Sequence, residues 1–298
     1  MKLQGWIIYN GSLPGTKFLD FAEWIQAAAA RKYSQTTIYK NNELLSFLST
    51  DLLKLLKEDM NSLPDYVVFA DKDIYLANQL ESLGVRVFNR AEVIQNSDDK
   101  IASYQQLARQ NLPIPKTIVA PKVFTNVQVD TDSVNLAIDQ LGFPMIIKEA
   151  FGSFGEQVYL IHTKEELVTC VQALQGKAFM FQEFVSSSYG KDIRLHVVGD
   201  QVVAGMKRQA ANDFRANVSS GATMEAYDPT DEERKLAISA AKALGADFAG
   251  VDLLFGPNNR PIICEINSNA HIRNMYDCTG INVADFIIDY ILDTINKN

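Results

Sequence analysis

The sequence predicts an α/β protein built in two manners along one chain: a small open sheet with alternating helices first, and strand-paired units with fewer helices after it. Two patterns and one composition carry that expectation. Apolar strand-like runs alternate with a helically spaced run over residues 5–89, whereas from residue 143 onward neighbouring strand-like runs follow one another across short turns. At 298 residues, with 47% hydrophobic and 21% charged residues, the chain is long enough for two or three compact units with a substantial core.

Taken in order, "GWIIYN" (5–10) reads as a strand, "FLDFAEWIQAAAARKY" (18–33) as an amphipathic helix, and "DYVVFA" (65–70) and "VRVFN" (85–89) as two further strands. "NSDDK" reads as a linker into a helix over 101–110, where Ile101, Tyr104, Leu107 and Ala108 share a face and Asn111-Leu112-Pro113 ends the turn. "FPMIIKEAFGSFGEQVYLI" (143–161) is a strand, a glycine-bearing loop and a strand. A helix (164–174), a strand (178–185), a strand pair turning at Gly199-Asp200 (192–209) and a polar loop (210–228) follow. The chain then reads as a helix (230–244), a strand pair (249–266) and a final helix (282–296). The apolar positions of the helices 18–33 and 282–296 suit either a core or a homo-oligomeric interface, and no internal repeat is visible.

The formal net charge of -8 speaks against a general nucleic-acid binder or a protein drawn to anionic membranes, since both need a positive surface. Cys170, Cys264 and Cys278 are widely spaced, without zinc-site spacing or an even disulfide framework, so they are expected to be reduced. No run approaches the roughly 18 apolar residues of a membrane span, and the start lacks a leader pattern. A cytoplasmic protein is expected.

"GVDLLFGPNNRPIICEIN" reads as two strands around "GPNNRP". With a symmetric turn over 256–261, Phe255 faces Ile262 and Asp252 faces Glu265. Side chains alternate along a strand, so Glu265 and Asn267 share one face while Cys264 and Ile266 take the other. Opposed residues lie about 5 Å apart, and two facing carboxylates repel unless a cation or proton lies between them. Asp252, Glu265 and Asn267 are therefore candidate ligands for Mg²⁺ or Mn²⁺, both of which favour hard oxygen donors.

Lys148 ends a strand directly before Gly152 and Gly155, a pattern that brings backbone N–H groups and a point charge to a phosphate. It is no P-loop, because the loop joins two strands and lacks the Gly-Lys-Ser/Thr run. Lys100, at a helix start, opposes the helix dipole unless an anion sits there.

Together these pieces resemble the ATP-grasp superfamily: a lysine before a helix, a lysine before a glycine loop, "QEF", "DIR", "DFRAN", then Asp and Glu-x-Asn on a hairpin. Within it, residues from about 90 to 298 are similar to the group of the ribosomal-protein glutamate ligase RimK and the amino-group-carrier ligases of lysine biosynthesis. "NSDDKIASYQQLARQNLPIPKT" and "AGVDLLFGPNNRPIICEINSN" carry the resemblance most strongly. It implies a small α/β domain over 1–97 preceding an ATP-grasp fold, with a central subdomain over 98–185 and a C-terminal subdomain over 186–298.

The resemblance also implies residue roles. Lys100 and Lys148 would contact ATP phosphates, Glu183 with Phe184 or Val185 would recognise adenine through the backbone, and Asp192 would hold the ribose. Arg194 would sit near the phosphates or the substrate carboxylate, and Arg208, not Lys207, would face the site. Arg215, Ala216 and Asn217 would surround the transferred phosphoryl group, with Arg215 and Lys148 catalytic. Asp252, Glu265 and Asn267 would hold two Mg²⁺ ions. The implied reaction is phosphoryl transfer from ATP to a substrate carboxylate, then attack by an amine to form an amide, with a protein, peptide or metabolite as acceptor. An ATP-grasp small-molecule kinase and a non-catalytic ATP-binding module remain alternatives.

After Asn267 the sequence "SNAHIRNMYDCTG" departs from the short, proline-containing turn of the ribosomal-protein ligase, where the amine substrate would approach. Asn269, Arg273 and Asn274 are candidate acceptor contacts, His271 a further one, while His162 and His196 are expected to be structural strand residues. Lys17, at the end of the loop 10–17, lies where open α/β sheets place ligands.

Overall fold

The computed structural model describes residues 3–57, 62–124, 129–152, 155–218 and 221–297. The first part runs β1 (Gln4–Tyr9), α1 (Lys17–Arg31), β2 (Gln35–Lys40), β3 (Leu45–Ser49), β4 (Leu52–Leu56), β5 (Tyr66–Ala70), α2 (Ile74–Ser82) and β6 (Arg86–Phe88). A parallel sheet of order β2-β1-β5-β6 forms its centre. β5 is buried along its whole length, as expected of a central parallel strand covered on both faces. The chain leaves β1 for β2 on one side, while β5 lies on the other, so the loops after β1 and β5 part to leave a crevice at their carboxyl ends. β3 and β4 form a separate hairpin on which Leu45, Phe47, Leu48, Leu52, Leu53 and Leu56 are exposed, while Leu55 packs into the sheet's core.

The expected linker at 96–100 is instead a junction of two helices, α3 (Ala91–Asp98) and α4 (Lys100–Arg109). Asp99 makes the junction by capping α4, its carboxylate accepting from the backbone N–H groups of Ile101 and Ala102. Then follow β7 (Thr117–Val119), α5 (Thr131–Leu141), β8 (Met145–Glu149), β9 (Val158–Ile161), α6 (Lys164–Ala173) and β10 (Phe179–Glu183). These strands form an antiparallel sheet of order β7-β10-β8-β9. β8 and β9 are the expected hairpin around the glycine loop, of which Ser153 and Phe154 lie outside the described residues.

The last part is β11 (Lys191–Val198), β12 (Gln201–Gln209), β13 (Thr223–Ala226), α7 (Asp231–Leu244), β14 (Phe248–Phe255), β15 (Pro261–Asn267), α8 (Arg273–Thr279) and α9 (Val283–Asn296). Its antiparallel sheet has the order β13-β12-β11-β14-β15. The segment expected as a polar loop thus contains an edge strand, β13. α7 starts on a reciprocal cap between Thr230 and Glu233, and ends at Gly245, whose φ of 73° a side chain would disfavour.

The apolar faces of α1 and α9 are not left for an oligomer. Phe21 and Ile25 of α1 share one core with Ile287, Ile288 and Ile291 of α9 and with Met206 of β12, so this cluster joins the first sheet to the last. Asn89 adds a polar joint: its amide donates to the carbonyls of Phe248 (2.8 Å) and Ser268 (3.0 Å), and its Oδ1 accepts from the Asp247 N–H. Among the described residues no helix is long and apolar enough to cross a membrane.

Candidate active site

The central sheet and the last sheet face each other across a cleft of roughly 790 Å³, part of it open to solvent. The nucleotide and phosphoryl-group candidates Lys100, Lys148, Glu183, Phe184, Val185, Asp192, Arg208, Arg215, Ala216 and Asn217 all line it, with Asp252 and Glu265 of the metal candidates. Arg194 and Asn267 stand on the same sheet face without lining the cleft itself.

The hairpin of β14 and β15 brings Asp252 opposite Glu265 as expected, although its turn is not the symmetric one expected. Phe255 pairs with Pro261 and Leu254 with Ile262, so Phe255 does not face Ile262; a bulge at Cys264 then inserts one residue and restores the Asp252–Glu265 pair. The bulge also overturns the expected alternation, since Cys264 lines the cleft beside Glu265 instead of facing away. Burial pushes the Cys264 thiol up to about 11, although Lys148 opposes this, so it is a neutral group near the phosphate side.

Both lysines are buried at the cleft. Lys100 donates through Nζ to the Gly152 carbonyl (2.9 Å) and lies 3.6 Å from Glu265. Lys148 Nζ lies 3.8 Å from Cys264 Sγ and over the Tyr104 ring. Burial works against the Lys148 charge, yet its neighbours outweigh it and raise the ammonium's pKa, Glu265 being the partner that carries a negative charge while Cys264 and Tyr104 stay neutral. A protonated lysine in a desolvated wall is a strong point charge for an anion.

Adjacent strand positions separate Lys207 from Arg208. Lys207 points to Glu225 of β13, whereas Arg208 is buried and gives a two-bond contact to Asp192 (2.7 and 2.5 Å) and a further contact to Asp252 (3.0 Å). Arg194 grips Asp252 from the other side through two bonds of 2.6 Å. Burial acts to raise the Asp252 carboxyl, but Arg194 and then Arg208 overcome it and hold it at about 2. Burial dominates at Asp192 and pushes its carboxyl up to about 6, against the pull of Arg208.

Arg215 reaches the glycine loop, donating to the Gly155 carbonyl at 2.7 Å, and Asp213 fixes the rest of its guanidinium. A Cβ on Gly155 would stand 2.2 Å from Asn217 Nδ2, and its φ is 74°, so only glycine lets the loop close on Arg215 and Asn217.

The candidate metal donors divide in two. Glu265 is partly open to the cleft, its side chain one-third exposed at 33%, and Asn267 has a buried Nδ2 without a partner. Both suit a hard cation through their oxygens. Asp252 fits such an ion only by sharing oxygens that two guanidinium groups already hold. Among the described residues there is no cluster of three His, Cys, Asp or Glu side chains arranged around a metal.

Other expectations meet mixed outcomes. Arg273 is drawn to Asp20 and stacks over Trp24 at 4.3 Å, so it ties α8 to α1. Asn274 lies on α8. His162 sits just past β9 and is exposed, not a strand residue, while His196 is buried in β11 as expected. Cys264, Tyr104, Lys191 and Phe214 are contributors the sequence reading passed over; the lysine on β11 two residues after Tyr189 carried the only local signal, a charge opening an apolar strand.

Comparison with known proteins agrees with this geometry. Residues 97–291 match the RimK-like ATP-grasp domain family. The chain is 37% identical over 217 residues to a probable alpha-L-glutamate ligase of Methanococcoides burtonii, covering 72% of this chain and 69% of that one. It is 33% identical over 271 residues to an uncharacterised protein of Mycoplasma pneumoniae, covering 85% and 92%. In fold it resembles D-alanine–D-alanine ligase from Bacillus anthracis (TM-score 0.73, 16% identity, 99% and 98% covered). A similar likeness holds to the ATP-grasp ligase PsnB complexed with a phosphomimetic variant of its minimal precursor, Mg and ADP (TM-score 0.70, 16% identity, 98% of both chains). A cleft between two such sheets goes with an ATP-grasp fold. The chain belongs to the RimK-like ATP-grasp family and is an ATP-dependent ligase.

Proposed function

We propose that this protein joins a carboxylate to an amine at the expense of ATP, adding glutamate or another amino acid to a protein, peptide or metabolite. The observation that carries the reading is the gathering of these groups around one cleft. Glu183, Phe184 and Val185 line it at and after the end of β10, Asp192 and Arg208 face each other across β11 and β12, and two residues further along β11 comes the row of Arg194, Asp252 and Glu265. That arrangement suits adenine, ribose and phosphates.

In the first step a substrate carboxylate oxygen attacks the γ-phosphorus, the bond to the β-phosphate oxygen breaks, and ADP leaves. The substrate amine then attacks the acyl carbon. Phosphate departs with one of the original carboxylate oxygens, and the nitrogen gives up a proton as the amide forms. Lys100, Lys148 and Arg215 neutralise and orient the phosphoryl oxygens, and the two-sheet cleft limits water around them. Glu265 and Asn267, with Asp252, would hold Mg²⁺, which supplies further charge neutralisation on the phosphates when bound.

The test is phosphate release from ATP and Mg²⁺ with single amino acids, amino-acid pairs and glutamate-ended peptides, each mixture read by mass spectrometry. A product equal to two components less one water supports the reading. A phosphorylated product with ADP and no condensed species contradicts it.

A further inference from the structure

The hairpin of β3 and β4 stands apart from the three larger sheets, and it does not show the apolar-in, polar-out alternation of a strand pair with one wet face. On one face Leu45 lies opposite Leu56 and Phe47 opposite Lys54, with Leu52 following at the turn. On the other, Leu55 enters the core of the first sheet, and Leu48 and Leu53 continue beyond it. Leu48 is 67% exposed and Leu45 58%, so apolar side chains meet solvent on both faces. The six exposed side chains of the hairpin present about 600 Å² in one patch, the upper end of what a monomer carries. Tyr75 of α2 is exposed one turn from Gln79, whose amide donates to the Lys54 carbonyl, so the patch continues onto α2.

Two strands alone are marginal in water, and an exposed apolar strand edge is a template for a further strand. Chains that keep such an edge free guard it with a proline, a bulge or a row of charges. Residues 45–57 hold no proline, six leucines and only three charges, and the pairing runs regularly along its length. One of those charges spares the apolar face: Lys54 lays its stem along it, with Nζ 5.2 Å from the Phe47 ring centroid. The other two sit at opposite ends, Asp51 at the tip and Lys57 at the base. Two hairpins laid antiparallel about a two-fold axis set tip against base, with Asp51 of each beside Lys57 of the other. Such a pairing covers the patch twice, on the order of 1,200 Å² in all, which reaches the lower edge of specific interfaces. An anionic membrane is a poorer cover, since the chain carries a net charge of -8.

We propose that the β3–β4 hairpin is a self-association arm, through which two copies of this chain pair tip to base about a two-fold axis. The pairing turns two marginal hairpins into one four-stranded unit and removes the leucines of both from water. None of the described residues lining the cleft lies on the hairpin, so the assignment stands apart from the ligase reading.

Sedimentation velocity of the full chain tests it. Wild type should run as a dimer at about 100 μM and as a monomer at about 1 μM, as fits an interface of this size. Leu45→Glu together with Leu48→Glu should raise the dissociation constant at least about tenfold, because the pairing would bury four unmatched carboxylates. Both side chains are exposed in the single chain, so this variant should keep the thermal midpoint that wild type shows at about 1 μM. Leu136→Glu, at an exposed position of α5, should leave the dimer as it is. Asp51→Lys should weaken it by about threefold or more, and Lys57→Asp added to it should restore it. A wild-type chain still monomeric at about 100 μM, a dimer indifferent to the leucine pair, or one that the charge exchange fails to restore would each overturn the assignment. So would a monomer that floats with phosphatidylcholine vesicles through the same leucines, since the arm would then serve a membrane surface.

Discussion

Arg208 and Lys207 are neighbours in sequence with opposite physical fates. Arg208 is buried against two carboxylates, so Arg208→Ala leaves Asp192 and Asp252 facing each other with one guanidinium fewer. Breaking such a buried pair costs about 3–5 kcal/mol. Lys207→Ala loses only a contact to an exposed Glu225 and should stay within about 0.5 kcal/mol of wild type. Denaturant titration of the two variants separates them. Glu265→Ala, in contrast, removes a partly open carboxylate whose ion pair is a 3.6 Å contact with Lys100, so the fold should persist while Mg²⁺-dependent phosphate release falls by at least about a hundredfold. A Glu265→Ala protein that keeps full turnover would show that the cation is held elsewhere.

At the scale of single elements, the hairpin shows what sequence can and cannot deliver. Period-two alternation placed Asp252, Glu265 and Asn267 on one face, because a half-buried strand writes its faces into its residues. The bulge at Cys264 was not legible, since a bulge is a property of two strands in register and nothing in "PIICEIN" marks it. β2 was missed for a different reason: "QTTIYK" is an edge strand with little apolar signal, and its place comes from pairing with β1. The "NSDDK" segment reads as a linker by composition, yet Asp99 turns it into a cap between two helices. Gly250 tests the packing of the strand pair with the loop behind it. Gly250→Ala should lower stability by about 1–3 kcal/mol, measured by thermal unfolding, because the added methyl meets Ala270.

Across the whole molecule, one shared apolar cluster joins the first sheet to the last and Asn89 adds a buried polar joint, while His196 on β11 makes the last sheet sensitive to acid. Burial, reinforced by Arg194, pushes the His196 pKa from 6.5 to about 3. Between those values the unfolded chain takes up a proton that the folded chain refuses, so stability is complete above the unfolded pKa and falls as the pH drops below it. The slope approaches about 1.4 kcal/mol per pH unit for this one group, and folding free energies from about pH 7 to about pH 5 should show it. His196→Gln should remove this group's share of that dependence, leaving the share of His271, whose pKa burial also lowers to about 3. That Lys148, Glu183 and Asp192 would share one cleft was legible in the sequence, because each sits at or next to a strand end. The approach of Lys17 to Arg194 and His271 was not, because it depends on how the first domain sits on the last.

The central claim is that a carboxylate is activated by the γ-phosphate before an amine attacks it. Heavy-oxygen label in the substrate carboxylate tests this most directly, once a condensing pair is in hand, by mass analysis of the released phosphate. Transfer of one labelled oxygen to phosphate in each turnover is the predicted result. Unlabelled phosphate accompanying amide formation would contradict the account.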